Sequence, residues 1–89
     1  MSGFKGTSKI ETSTANQELI PEKPYGWTIG YKFKSFSFFN DQECHIIVNN
    51  GEPLFLRAGM GFNSTTDNQS ITSFVIVEEG ISYNWIGAF

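Results

Sequence analysis

From Trp27 onward the chain alternates with a period of two. Trp27, Ile29, Tyr31 and Phe33 fall on one side, and Thr28, Gly30, Lys32 and Lys34 on the other. Successive strand residues point to opposite faces, so the spacing predicts a strand with one wet face. The apolar positions then shift to Phe36 and Phe38, an even register that a bulge near Ser35 or a turn between two strands would explain. Asn40-Asp41-Gln42 is a turn signal, and Cys44, Ile46 and Val48 alternate after it as far as Asn49-Asn50-Gly51. An Asn-Gly pair between two apolar runs predicts a hairpin that pairs 43–48 with 53–57, with Leu54 and Leu56 on the inner face. Pro53 has no N–H for a ladder and belongs at a strand start or a sheet edge.

Two glycines in three positions, Gly59-Met60-Gly61, suit a tight turn, and 63–69 is an unbroken polar run read as an exposed loop. Residues 71–78, ITSFVIVE, carry apolar side chains on both faces from Phe74 to Val77, the pattern of a central strand. After Glu78-Glu79-Gly80, alternation resumes at Ile81, Tyr83, Trp85 and Gly87 and ends at Phe89, which suggests a packed carboxyl terminus. No window has helical periodicity. The expected fold is all-β: a small antiparallel β-sandwich or barrel of five to six strands over residues 25–89.

Residues 1–24 differ, being rich in Ser, Thr, Gly, Lys and Glu with no sustained period. Such a segment cannot offset its ordering entropy alone, so it reads as an extended N-terminal arm that is mobile or laid against a neighbour. Leu19 and Ile20, followed by Pro21 and Pro24, could anchor its end.

An 89-residue chain forms one core and buries roughly 60% of its unfolded surface, which makes oligomerisation an expected source of further stability. The single cysteine, Cys44, excludes an internal disulfide, and no Cys/His spacing suits zinc. Aromatic residues make up 16% of the chain against 17% charged residues, more than a core this small requires, so part of that area is expected to meet a partner. A net charge of −3 argues against nucleic acid. No apolar run resembles a signal peptide or approaches the ~20 residues that span a bilayer. The expectation is a protein made and left in a cytoplasm, with no membrane partner. The glycosylation patterns at Asn63-Ser64-Thr65 and Asn68-Gln69-Ser70 then carry no meaning.

Candidate chemistry is sparse. Cys44 and His45 are neighbours on an expected strand and should face opposite sides, one thiol inward and one imidazole outward. Asp41, Glu43, Glu52 and Asp67 could gather at one sheet end and bind Ca²⁺, yet they lack a calcium-loop spacing and read as solvated turn residues. No nucleophile, base and oxyanion set is apparent, so neither an enzyme nor a cofactor is expected. The aromatic set Tyr25, Trp27, Tyr31, Tyr83 and Trp85 is the one cluster with functional content. Tyr and Trp combine apolar area with a polar tip, as in interface hot spots and sugar-stacking platforms. Their alternation also fits a core, and the sequence leaves the two readings open.

Residues 35–89, especially SFSFFNDQECHIIVNNGEPLFLRAGMGFN followed by ITSFVIVEEGISYNWIGAF, resemble small β-domains of tailed-bacteriophage virion proteins. The shared pattern is an apolar strand, a polar hairpin, an apolar-Gly turn, and an acidic-Gly turn leading into a Tyr/Trp-containing final strand. The resemblance implies a non-enzymatic virion subunit of decoration, head-fibre or tail-accessory type. Such a subunit would be made in the host cytoplasm and present in several copies, contacting other virion proteins and its own kind. The alternative is a carbohydrate-binding module that stacks Tyr25, Trp27 or Trp85 on a host-surface glycan.

Overall fold

The computed structural model describes residues 3–65, 67 and 69–89. Its strands are β1 (Phe4–Gly6), β2 (Glu11–Thr12), β3 (Gln17–Glu18), β4 (Ser35–Asn40), β5 (Cys44–Val48), β6 (Pro53–Leu56), β7 (Phe62–Ser64), β8 (Phe74–Ile76) and β9 (Ser82–Ala88). They form two antiparallel sheets, ordered β1-β9-β4-β7 with β2 also on β9, and β3-β8-β5-β6. The fold is an all-β, small antiparallel sandwich.

Alternation builds the core. Phe36, Phe38, Tyr83 and Trp85 from the first sheet are buried, as are Cys44, Ile46, Leu56, Phe74 and Ile76 from the second. Phe74 joins the layers, its ring centroid 4.9 Å from Phe36 and 4.8 Å from Phe38. The expected pairing of β5 with β6 forms, with Cys44 opposite Leu56 and Ile47 opposite Pro53. Pro53 opens an edge strand, where its missing N–H costs least. β8 is flanked on both sides, by β3 and β5, which matches its apolar composition on both faces.

Several expectations are corrected. The strand expected over 27–34 does not form: its cross-chain backbone pairing is confined to its end, where Phe33 bridges Ile71 and the Lys34 N–H donates to the Ala88 carbonyl. A strand requires a neighbour along its length, and the Trp27 N–H instead closes a turn onto the Pro24 carbonyl. Phe33 still reaches the core because Gly87 lies beneath it: a Cβ on Gly87 would stand 2.6 Å from the Phe33 ring. The hairpin turn sits one residue earlier than the Asn-Gly pair implied. Asn49 and Asn50 are its central residues, both at positive φ (50° and 60°), and the Gly51 N–H donates to the Val48 carbonyl, a conformation Asn tolerates. Leu54, expected inside, is exposed because β6 is the sheet edge and nothing covers it. The polar run after Gly61 begins as β7 with Ser64 buried. Thr66 and Asn68, and with Asn68 its glycosylation pattern, lie outside the described residues.

Residues 25–89 supply six strands, β4 to β9, as expected, and the amino-terminal segment adds β1, β2 and β3. That segment is extended and runs along both sheets of its own chain. It first follows β9, where the Thr7 and Ser13 N–H groups donate to Trp85 and Ile81, then crosses to β8, where the Leu19 N–H donates to Phe74. A Cβ on Gly6 would overlap the Trp85 carbonyl oxygen, so glycine permits this close approach.

Candidate functional site

Of the Tyr/Trp group singled out in the sequence, Trp27, Tyr31 and Trp85 are brought together by stacking through Phe33, whereas Tyr83 stacks on Phe38. Trp85 meets Phe33 edge-on at 5.4 Å, Phe33 lies parallel to Tyr31 at 5.4 Å and 9°, and Tyr31 meets Trp27 at 4.9 Å. Phe89 closes the stack against Trp27, Tyr31 and Phe33. The result is a continuous line of rings from the sandwich centre to one end. Of the open pair of readings, core holds for most members: Tyr31, Tyr83 and Trp85 are buried, as is Leu19, and burial raises the Tyr83 hydroxyl pKa, with the Glu11 charge adding to it. Their ring faces do not reach solvent. Trp27 and Ile20 are half-buried, and Tyr25 is fully exposed.

Two shallow hollows flank Gly30 and Lys32 at this end. One, of about 540 Å³, is bordered by Trp27, Ile29, Lys32, Lys34 and Phe89. The other, of about 560 Å³, is bordered by Ile20, Pro21, Glu22, Lys23, Tyr31 and Lys32. The site is therefore an aromatic floor with a rim of lysines, Ile29 and Tyr25 standing free beside it. In the sequence Lys32 and Lys34 stand on the wet face of an expected strand and Lys23 in the unpatterned segment. The fold gathers them because the loop before β4 folds over the sandwich end.

The opposite end carries a different chemistry. Asp41 and Glu43 lie in the β4–β5 turn, and Glu78 and Glu79 in the turn before β9. The two turns are tied by Asp41 N–H to Ser82 C=O and by Ser82 N–H to the Gln42 side chain. Glu52 is in the β5–β6 hairpin at the far end of β5, so the carboxylates weighed for Ca²⁺ are divided between ends. Among the described residues no group of three or more metal-ligating side chains comes together.

Cys44 and His45 face opposite sides. The thiol is buried and its pKa is pushed up to about 11, by burial first and by the Glu78 charge second. The imidazole lies on the outer face, where Nδ1 is 2.6 Å from Glu78 Oε2. An ionised carboxylate only accepts, so Nδ1 carries the proton in this contact. The His45 backbone N–H donates to the other Glu78 oxygen at 2.7 Å. Burial tends to raise the Glu78 pKa, but these hydrogen bonds from His45 outweigh it and hold the carboxyl below its ordinary value.

Four polar residues that tie the fold together were not legible as such. Asn40, fully buried, donates from its side chain to the Gln42 and Arg57 carbonyls and accepts from the Gly61 N–H. Ser13 donates to the Glu78 carbonyl and accepts from Ile81 N–H. Glu18 accepts from the Ser73 hydroxyl and the Phe74 N–H, and Asn49 accepts from the Thr72 and Ser73 N–H groups. Each reads in sequence as an ordinary loop or arm residue because its partner is distant along the chain. Comparison with protein-family models, curated proteins and solved structures finds no match to this chain.

Proposed function

We propose that the chain is a non-enzymatic structural subunit that assembles into a larger particle, of the kind found as decoration, head-fibre or tail-accessory proteins of phage virions. The observation that carries this reading is surface apolar area in a chain of only 89 residues. Tyr25, Ile29 and Met60 stand exposed at the ends of the sandwich, and Phe4, Phe39 and Ile86 on the outer face of the first sheet. Phe4 and Ile86 lie on neighbouring paired strands, and contiguous exposed apolar side chains of this kind mark surfaces that meet partners. Copies of the chain and other proteins of the particle are the proposed partners, and a virion assembled in a host cytoplasm is the proposed setting.

Sedimentation velocity over a range of concentrations, with electron microscopy of the source particle with and without the chain, tests the proposal. The expected result is concentration-dependent assembly, with density lost from the particle when the chain is absent. A clean monomer that binds no shell or tail would overturn it. The Trp27 hollow favours a second reading, carbohydrate binding, with Tyr25 and Trp27 as its stacking residues, since Trp85 is buried. Glycan binding abolished by Trp27→Ala would support that reading, and binding left intact would remove it.

A further inference from the structure

Exposed groups of opposite charge stand at the two ends of β4, within ends that are each mixed: Glu22 and Glu52 lie at the lysine end and Arg57 at the acidic end. Lys34 immediately precedes β4 and Asp41 immediately follows it, so seven residue steps, about 23 Å at ~3.3 Å each, separate them. At the Lys34 end, Lys32 and Lys34 rim the hollow floored by Trp27, and Lys23 and Lys32 rim its neighbour together with Glu22. At the Asp41 end, the β4–β5 turn carries Asp41 and Glu43, and the turn before β9 carries Glu78 and Glu79. Each end also has apolar surface of its own. The lysine end has a recess floored by Trp27 and Phe89 beside exposed Ile29. The acidic end has a protrusion: Met60 is 62% exposed on the loop that Asn40 pins through Gly59 and Gly61.

We infer that the acidic end of one copy of this chain docks on the lysine-rimmed Trp27 hollow of the next, Met60 entering the hollow and Asp41 and Glu43 facing Lys32 and Lys34. The inference rests on the assembly reading and names its partner as a second copy. Charge complementarity selects that occupant: Lys32 and Lys34 border the Trp27 hollow, and Asp41 and Glu43 stand in the turn that Asn40 ties to the Met60 loop. A thioether against an indole and a phenyl ring is a favourable contact, and Met adapts to irregular hollows. The contact is heterologous, since the two surfaces differ. It therefore generates a ring if the rotation closes and a filament if it does not.

Two variants, K32Q/K34Q and D41N/E43Q, change only exposed side chains at one end each. Sedimentation velocity at low ionic strength is expected to show each alone weakened in self-association by about tenfold or more. Their equimolar mixture should form a 1:1 heterodimer through the one intact pair of ends and grow no further. Wild-type assembly should weaken as NaCl rises toward ~0.5 M, where screening is nearly complete. Met60→Asp should weaken it at every salt concentration. Assembly that neither double variant changes would overturn the head-to-tail contact while leaving the assembly reading standing. A wild-type chain that stays monomeric at all concentrations and binds no particle would overturn both. Circular dichroism confirms that each variant is folded before it is scored.

Discussion

The body of the sandwich, residues 35–89, and the segment before it, residues 3–34, are held by different forces. In the body, alternating apolar residues of facing sheets close a core in which Phe36, Phe74 and Ile46 have almost no exposed surface. In the preceding segment, β1 and β2 lie on β9 through backbone hydrogen bonds, with mostly exposed side chains, and single polar residues such as Ser13 act as latches. Only toward its end, at Leu19, Tyr31 and Phe33, does the segment put large side chains into the core. Burial stabilises in proportion to apolar area removed from water, whereas a hydrogen bond made by exchange with water contributes a net ~1 kcal/mol. The body should therefore unfold as a unit and residues 3–18 should open locally at lower cost.

The largest expected effect lies in the body. Phe36→Ala removes a ring packed on Phe33, Phe74 and Trp85 and should cost about 3–5 kcal/mol of global stability, read by denaturant unfolding. A loss near 1 kcal/mol would mean that the two regions do not differ in kind. Gly6→Val tests the other side. Its side chain would overlap the Trp85 carbonyl, lifting β1 from β9 at about 1–2 kcal/mol. Hydrogen exchange should then accelerate at Gly3, Thr7 and Phe89 and stay unchanged across β5, and acceleration throughout would show that the segment and body are one cooperative unit.

The smallest effect falls where the regions meet, at Glu78, whose backbone carbonyl accepts from Ser13 and whose carboxylate accepts from His45. Its carboxyl pKa is held below the ordinary 4.5 in the folded chain. The unfolded chain therefore binds the proton more readily, and the stabilisation is fully present above about pH 4.5 and is lost as pH falls through the folded value. Wild type should lose stability over that acid window by more than Glu78→Gln does. Equal slopes for the two proteins would remove this contact from the account.

The legibility of the chain followed the same division. β4, β5, β6 and β9 were readable because half-buried strands impose period two on side chains, and β8 because an apolar run on both faces marks a central strand; the inward thiol and outward imidazole of Cys44 and His45 follow from period two. Trp27 to Phe33 shows the limit of that rule. Its alternation is as clean as that of β9, yet no strand lies beside it, and Tyr31 and Phe33 alternate inward from a loop. The turn at Asn49-Asn50 was displaced by one residue because Asn tolerates positive φ nearly as the expected Gly does, so composition marks the turn without setting its register.

From sequence alone followed the all-β class, the single core, the β5–β6 hairpin and the aromatic group as the place to look, since these depend on local periodicity and composition. The fold decided the rest. It placed Trp85 and Tyr83 inside and Tyr25 outside, drew Lys23, Lys32 and Lys34 to one end and Asp41, Glu43, Glu78 and Glu79 to the other, and laid the amino-terminal segment along β9 and β8. These features depend on which distant segments become neighbours. A ladder partner, a buried polar contact such as Asn40 with Gly61, and a charge gathered from separate loops have no signature at the residues that make them, because each arises only when the chain has closed on itself.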